Sequence, residues 1–331
     1  MKKTLRILGF TLLFVVIAIG IALAYVKFAL PNIDAPEDLQ VEATPERVER
    51  GKYLAYHVTV CMDCHSARDY NLFSAPLVAG SDGKGGEVFD QSFGFPGRFI
   101  ARNITPFNLK DWSDGEIYRA ITSGVKKDGT PIFPVMPYAY YGKMDKEDVY
   151  SIIAFLRTLK PIENVTDEPK ADFPMNFILN TIPTAPAHQK IPDSNNEVEY
   201  GKYLVYSAGC YECHTKPDDK GNKVAGMDFA GGWSFNIGGG RIVTSANITP
   251  DKESGIGNYT KESFITRFKT YGDSTYKAHT VGKGEFNTIM PWTMYAGMTE
   301  KDLGAIYEFL KTIKPIKNPI ERFVYKPETK I

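Results

Sequence analysis

The alternation of apolar and polar positions changes character once near the start of the chain and then settles into a helical rhythm. From Ile7 to Val26 there are 20 residues without a charge, preceded by Lys2, Lys3 and Arg6 and followed by Lys27. At about 1.5 Å per residue such a run matches a hydrocarbon layer of roughly 30 Å, and its basic flank is retained in the cytoplasm. The pattern predicts a transmembrane helix within residues 1–30, a single pass, with everything after it outside the cytoplasm. A cleaved signal peptide is the competing reading, because Ala22-Leu23-Ala24 resembles a cleavage site. The apolar run is nevertheless longer than the usual core of about 7–15 residues, and Phe28, Ala29 and Leu30 extend it.

Farther along, residues 46–57 and 197–208 carry apolar residues at helical spacing, and each run ends at a cysteine. Two later stripes have the same period: Ile152, Ile153, Phe155, Leu156 and Leu159, then Leu303, Ile306, Tyr307, Leu310 and Ile313. Asp145 and Thr299 suit their N-caps, Asp148 and Asp302 stand three residues on as in a capping box, and Pro161 and Pro315 stop both helices. Core packing accounts for these stripes, so they carry no chemistry.

The two halves of this pattern are copies. Gly51-Lys52-Tyr53-Leu54 returns as Gly201-Lys202-Tyr203-Leu204, and Asn103-Ile104-Thr105-Pro106 as Asn247-Ile248-Thr249-Pro250. Met136-Pro137-Tyr138 returns as Met290-Pro291-Trp292, and Phe155-Leu156-Arg157-Thr158-Leu159-Lys160-Pro161-Ile162 as Phe309-Leu310-Lys311-Thr312-Ile313-Lys314-Pro315-Ile316. Four blocks in one order indicate a duplicated domain. A length of 331 residues accommodates two domains of about 150 residues. Their bounds read as 45–162 and 197–316, joined by a proline-rich linker at 163–196 and followed by a C-terminal tail at 317–331. Phe173, Phe177, Ile178 and Leu179 are expected to pin the linker to the domain surfaces.

Composition adds little. Lys plus Arg equals Asp plus Glu, at 39 each, so no net field points to nucleic acid. The four cysteines are more telling, because all lie in two segments of one form: Cys61-Met62-Asp63-Cys64-His65 and Cys210-Tyr211-Glu212-Cys213-His214. CxxCH is the attachment signature of c-type haem, in which both thiols bond to the porphyrin edge and the adjacent histidine ligates iron. A redox CxxC has no need of the histidine, and zinc would need ligands that no remaining cysteine supplies. The expected cofactors are therefore two haem c groups, attached through Cys61, Cys64, Cys210 and Cys213, with His65 and His214 as proximal ligands.

A methionine opposite the histidine would give an electron carrier, whereas an open position would allow peroxide chemistry. Met136 and Met290 lie in repeated Met-Pro loops, 75 and 80 residues after the first cysteine of each motif, and are the preferred iron ligands. Met144 and Met298 also repeat, but at positions suited to sealing a helix start. His57 and His279 have no counterpart in the other copy and His188 lies in the linker, so all three read as surface or hydrogen-bonding histidines rather than ligands. Gly83, Gly85, Gly86 and Gly238 to Gly240 lack a nucleotide-loop context and read as loops.

The paired CxxCH motifs, Asn-Ile-Thr-Pro, Trp112-Ser113-Asp114-Gly115-Glu116, and Met-Pro-Tyr leading into Phe-Leu-Arg-Thr-Leu together resemble the cytochrome c subunits of membrane-bound alcohol and gluconate dehydrogenases. The resemblance covers residues 45–162 and 197–316. It implies an all-α fold of two tandem class I cytochrome c domains behind an N-terminal transmembrane helix, and axial ligation by the Met-Pro methionines, Met136 and Met290. It further implies that Asn103 and Asn247 begin a loop beside each haem, with Arg102 and Arg241 as candidates for a propionate. Such subunits commonly carry three haems, whereas two motifs are present here, and Trp292 replaces Tyr138 in the second copy.

The resulting expectation is a membrane-anchored electron carrier without catalytic residues, its haem domains on the periplasmic side. It would relay single electrons from a periplasmic dehydrogenase or quinol-oxidising complex to a terminal oxidase or soluble cytochrome. The alternative is a dihaem cytochrome c peroxidase, against which methionine candidates in both halves argue.

Overall fold

The structure is a computed structural model that describes residues 2–218 and 221–327. Helix α1 (Lys2–Phe28) is 27 residues long, apolar enough to cross a membrane, and buries none of its residues against the rest of the protein. The first repeat then contains α2 (Pro45–Tyr53), which continues as one π turn to Val58, α3 (Cys61–His65), β1 (Val88–Phe89), β2 (Gly97–Ile100), α4 (Pro106–Leu109), α5 (Asp114–Ser123), α6 (Tyr138–Tyr141) and α7 (Lys146–Thr158). Strand β3 (Lys170–Ala171) and α8 (Met175–Ile178) lie between the repeats. The second repeat has α9 (Glu197–Ser207), α10 (Cys210–His214), β4 (Ser234–Asn236), β5 (Arg241–Thr244), α11 (Lys261–Lys269), α12 (Trp292–Tyr295) and α13 (Glu300–Thr312), followed by β6 (Phe323–Tyr325).

In each repeat the opening helix packs on the closing one, α2 on α7 and α9 on α13. The repeated glycine of Gly-Lys-Tyr-Leu makes that crossing possible. A Cβ at Gly51 would sit 1.8 Å from the carbonyl oxygen of Ser151, and one at Gly201 would sit 1.9 Å from that of Ala305. No side chain fits there, so the backbones touch. The stripes expected from the sequence supply the contact faces: Ile152, Ile153 and Leu156 in one copy and Leu303, Ile306 and Leu310 in the other are buried. They belong to one apolar cluster that runs without a break through both repeats.

Asp145 and Thr299 cap α7 and α13, accepting from Glu147 N and Asp302 N. Asp148 and Asp302 do not turn back onto the caps. Asp148 pairs with Arg50 at 2.8 Å, and Asp302 accepts from Tyr200 at 3.0 Å.

The all-α expectation needs correction. Two three-stranded antiparallel sheets are present, β1-β2-β3 and β4-β5-β6, with Phe89 opposite Phe99 and Phe235 opposite Val243. Their strands are two to four residues long, too short for a period-two pattern to stand out from loop sequence. The third strand of each comes from outside the repeated blocks. Lys170 of the linker pairs with Arg98, and Val324 of the segment read as a tail pairs with Ile242. The linker is anchored differently from expectation as well: Leu179 is buried, but Phe173 is 80% exposed and Ile178 44% exposed.

Candidate functional site

Each CxxCH forms a short helix of its own, entered through a left-handed residue, Val60 before α3 and Gly209 before α10. That sharp entry separates the motif from the preceding helix. None of the four cysteines is in a disulfide. Desolvation raises the pKa of all four, Cys210 and Cys213 to about 12.

The two histidines are held identically. His65 Nδ1 lies 2.6 Å from the carbonyl oxygen of Arg102, and His214 Nδ1 lies 2.8 Å from that of Ala246. A ring that donates from Nδ1 keeps its lone pair on Nε2, the arrangement by which a backbone carbonyl orients a metal-binding imidazole. Burial lowers both pKa values, that of His214 to about 4, which keeps the rings neutral at ordinary pH.

Those acceptor carbonyls immediately precede Asn-Ile-Thr-Pro, and the role of that repeated block is thereby explained. Asn103 Oδ1 accepts from Thr105 N at 2.9 Å and from Thr105 Oγ1 at 2.7 Å, while its Nδ2 donates to Ile162 O at 2.8 Å. Asn247 makes the same bonds with Thr249 at 2.9 and 2.7 Å and with Ile316 at 2.7 Å. The asparagine thus ties the carbonyl-bearing loop to the end of the closing helix. The Trp-Ser-Asp-Gly-Glu segment is structural too: Ser113 and Glu116 form a capping box for α5, and Asp114 pairs with Arg157 at 2.7 Å.

Four residues support the histidines without a role assigned from the sequence, where Gly85 reads only as a loop glycine. Gly85 N donates to His65 O at 2.8 Å, and Gly231 N donates to His214 O at 2.7 Å. Ser66 Oγ accepts from Gly83 N and Thr215 Oγ1 from Phe229 N, both at fully buried positions. A hydroxyl residue following each CxxCH was the available signal, but the spacing to the glycine differs between the copies.

The Met-Pro turns return to the cysteine motifs. Tyr141 OH donates to Thr59 O at 3.0 Å, two residues before Cys61, and Tyr295 OH donates to Ala208 O at 2.5 Å, two residues before Cys210. Met136 and Met290 are half-buried against the shared apolar cluster. Met144 and Met298 are each 1% exposed and enclosed in it. Beside Met136, the buried hydroxyl of Tyr138 has no hydrogen-bond partner among the described residues. An unmet buried donor two residues from Met136, in the chain that also carries an oriented imidazole, is consistent with a prosthetic group.

The remaining candidates make the following contacts. Arg102 donates to Asp167 O and Glu168, and Arg241 Nε donates to Gly238 O. His57 Nδ1 bonds Met294 O, His188 bridges Tyr118 OH and Met144 O, and His279 stacks on Phe73. Among the described residues no cluster of three or more His, Cys, Asp or Glu side chains is arranged to hold a metal ion.

No protein-family model matches the chain. It is 27% identical over 303 residues to the cytochrome c subunit of a quinone alcohol dehydrogenase from Gluconacetobacter polyoxogenes, covering 87% of this chain and 60% of that protein. It is 26% identical over 294 residues to the cytochrome c subunit of gluconate 2-dehydrogenase from Pantoea cypripedii, covering 82% and 60%. A "Diheme cytochrome c-type" protein of Cereibacter sphaeroides is 29% identical over 270 residues, with 78% of this chain and 83% of that one covered. The match thus spans about 60% of the length of the dehydrogenase subunits, and the chain is a homologue of cytochrome c subunits of alcohol and gluconate dehydrogenases and of a diheme cytochrome c.

Proposed function

We propose that this protein is a membrane-anchored dihaem c-type cytochrome that relays single electrons, built as two tandem class I cytochrome c domains. The observation that carries the reading is the twice-built arrangement of a CxxCH helix whose histidine donates to the carbonyl preceding Asn-Ile-Thr-Pro. When bound, haem c supplies a reversible one-electron couple.

The chain's own part is attachment, orientation and shielding. Cys61 and Cys64 would hold one group, and Cys210 and Cys213 the other. His65 and His214 present Nε2 because Nδ1 is occupied. Met136 and Met290 would complete ligation from turns that Tyr141 and Tyr295 tie to the cysteine motifs. The enclosure of Met144 and Met298 in the core favours the Met-Pro pair over them. Helix α1 would anchor the chain by a single span, with Lys2, Lys3 and Arg6 on the cytoplasmic side and both haem domains outside.

The names of the relatives favour a dehydrogenase as electron donor, with a quinol-oxidising complex as the other donor class and a terminal oxidase or soluble cytochrome as acceptor. A thioether candidate in each half favours electron carriage over peroxide reduction. The test is haem content after denaturation of the full chain expressed in haem-competent cells. Two covalently bound haems per chain are expected, falling to one in the Cys61→Ala/Cys64→Ala variant. An unstained band, or rapid peroxide turnover by the half-reduced protein, would overturn the reading.

A further inference from the structure

We propose that Ser74, in the first repeat, is a positioning residue for Met290 in the second, a backbone contact that has no counterpart at Met136. The inference rests on the reading of Met290 as an iron ligand.

The segment Tyr70 to Ala75 lies against the loop that leads to Met290. Phe73 N donates to His279 O at 2.9 Å, and Val281 N donates to Asn71 O at 2.8 Å. Asn287 is 2% exposed; its Oδ1 accepts from Ser74 N at 3.0 Å and its Nδ2 reaches Leu72 O at 3.3 Å. The decisive contact is at Ser74, which is 1% exposed. Its hydroxyl donates to Met290 O at 2.6 Å and accepts from Trp292 N at 3.1 Å, bracketing the Met-Pro turn on both sides. Within its own repeat the Met290 N–H donates to Thr288 Oγ1 at 3.0 Å and Met290 O accepts from Trp292 N at 2.8 Å, so the Ser74 hydroxyl is a second donor to that carbonyl.

Ser74 is itself held from behind. It and Ala75 adopt left-handed backbone, with φ of 64° and 42°. Arg68 donates to both of their carbonyls, from Nη2 to Ser74 O at 3.3 Å and from Nε to Ala75 O at 3.0 Å. The same guanidinium pairs with Asp63 at 3.0 Å, inside the first CxxCH helix, and both side chains are largely shielded from water. A continuous polar path therefore runs from the first cysteine motif through Arg68 and Ser74 to the backbone of Met290.

The reverse connection is weaker. Met136 N bonds Phe133 O, in its own loop, and Met136 O accepts from Tyr138 N. Among the described residues the second repeat reaches that turn through a side chain, Tyr140 OH to Glu212 at 3.0 Å. Lys223, in the loop corresponding to residues 67–79, folds onto its own motif at Glu212 and Thr215.

The experiment uses the full-length, haem-loaded protein and an optically followed redox titration, together with the methionine-to-iron charge-transfer band of the oxidised form. Met136→Ala and Met290→Ala assign the two waves. Ser74→Ala and Ser74→Gly each remove the hydroxyl, and glycine also relieves the left-handed backbone, which guards against simple misfolding. Both are expected to weaken the band and to lower only the wave that Met290→Ala lowers. A tenfold loss in the methionine's preference for ferrous over ferric iron corresponds to a fall of about 59 mV.

If Met290→Ala shifts a wave while neither Ser74 variant does, the positioning role is overturned and the ligand assignment stands. If Met290→Ala shifts nothing, both fall. Equal shifts of the two waves, or an effect of alanine that glycine lacks, would show general loosening or backbone strain instead, and would likewise overturn the proposal.

Discussion

The hydroxyl of Tyr203 lies 2.6 Å from a carboxylate oxygen of Asp148, in the other copy of the repeat. The same hydroxyl accepts from Asp145 N at 3.2 Å, so it stands between the N-cap of α7 and the acid three residues on. The reciprocal set is present: Tyr53 OH donates to Asp302 and accepts from Thr299 N at 3.0 Å at the start of α13. In an ordinary capping box the acid reaches the cap directly. Here the bond is completed by a tyrosine from the opposite half, and each closing helix is finished only when the two repeats are docked.

Tyr203→Phe and Tyr53→Phe should each therefore lower the stability of the whole chain by about 1.5–3 kcal/mol, the range for a hydrogen bond to a charged group. Denaturant unfolding measures this, and a cycle of Tyr203→Phe with Asp148→Asn should show coupling of about 0.5–3 kcal/mol. Unchanged midpoints would mean that the crossed bonds add nothing. Separate transitions for the two halves in the parent protein would contradict docking as one unit.

His57 predicts a pH dependence at the same interface. Its Nδ1 lies 2.8 Å from Met294 O, across the repeats. Burial lowers its pKa from 6.5, Lys269 and Lys52 act in the same direction, and the bond to Met294 opposes them. The folded value is thus below the unfolded one, and the unfolded chain binds more protons between the two. The contribution is complete above about pH 6.5 and is lost as pH falls through the folded value. The difference in stability between the parent and His57→Gln should accordingly shrink as pH is lowered from 7 to 5. A difference independent of pH would rule out this contribution.

Gly85 and Gly231 should be intolerant of a side chain. Gly85 has φ +72°, and a Cβ there would lie 2.5 Å from Asn103 N, beside the carbonyl that receives His65. Gly231 has φ +70° and would meet Asn247 N at 2.6 Å. Gly129 serves as a control, with φ +81° and nothing within 4 Å of the added carbon. Each of Gly85→Ala and Gly231→Ala is expected to cost more than about 1 kcal/mol and to change the absorption spectrum of one haem. Gly129→Ala should cost about that much or less, with the spectrum unchanged. Equal behaviour of the three variants in melting and spectroscopy would remove the steric argument.

Features that nearby residues encode are readable before folding. The apolar run of α1, the caps Asp145 and Thr299, the stripes of α7 and α13 and the two CxxCH motifs each depend on neighbours within a few positions, and the duplication made all but the first legible twice. Asn103 and Asn247 were readable as repeated residues, though their bonds to Ile162 and Ile316 were not.

The long-range relations are set by how the folded segments meet. The sheets close through Lys170 and Val324, whose partners lie tens of residues away and whose strands are too short to show a period. Tyr53 and Tyr203 look alike in the two copies, yet neither caps a helix of its own repeat. Ser74 sits in a loop with no local pattern, and its place against Met290 follows from how two repeats dock. Periodicity records which face of a segment is apolar; it holds no record of which distant backbone that face will meet.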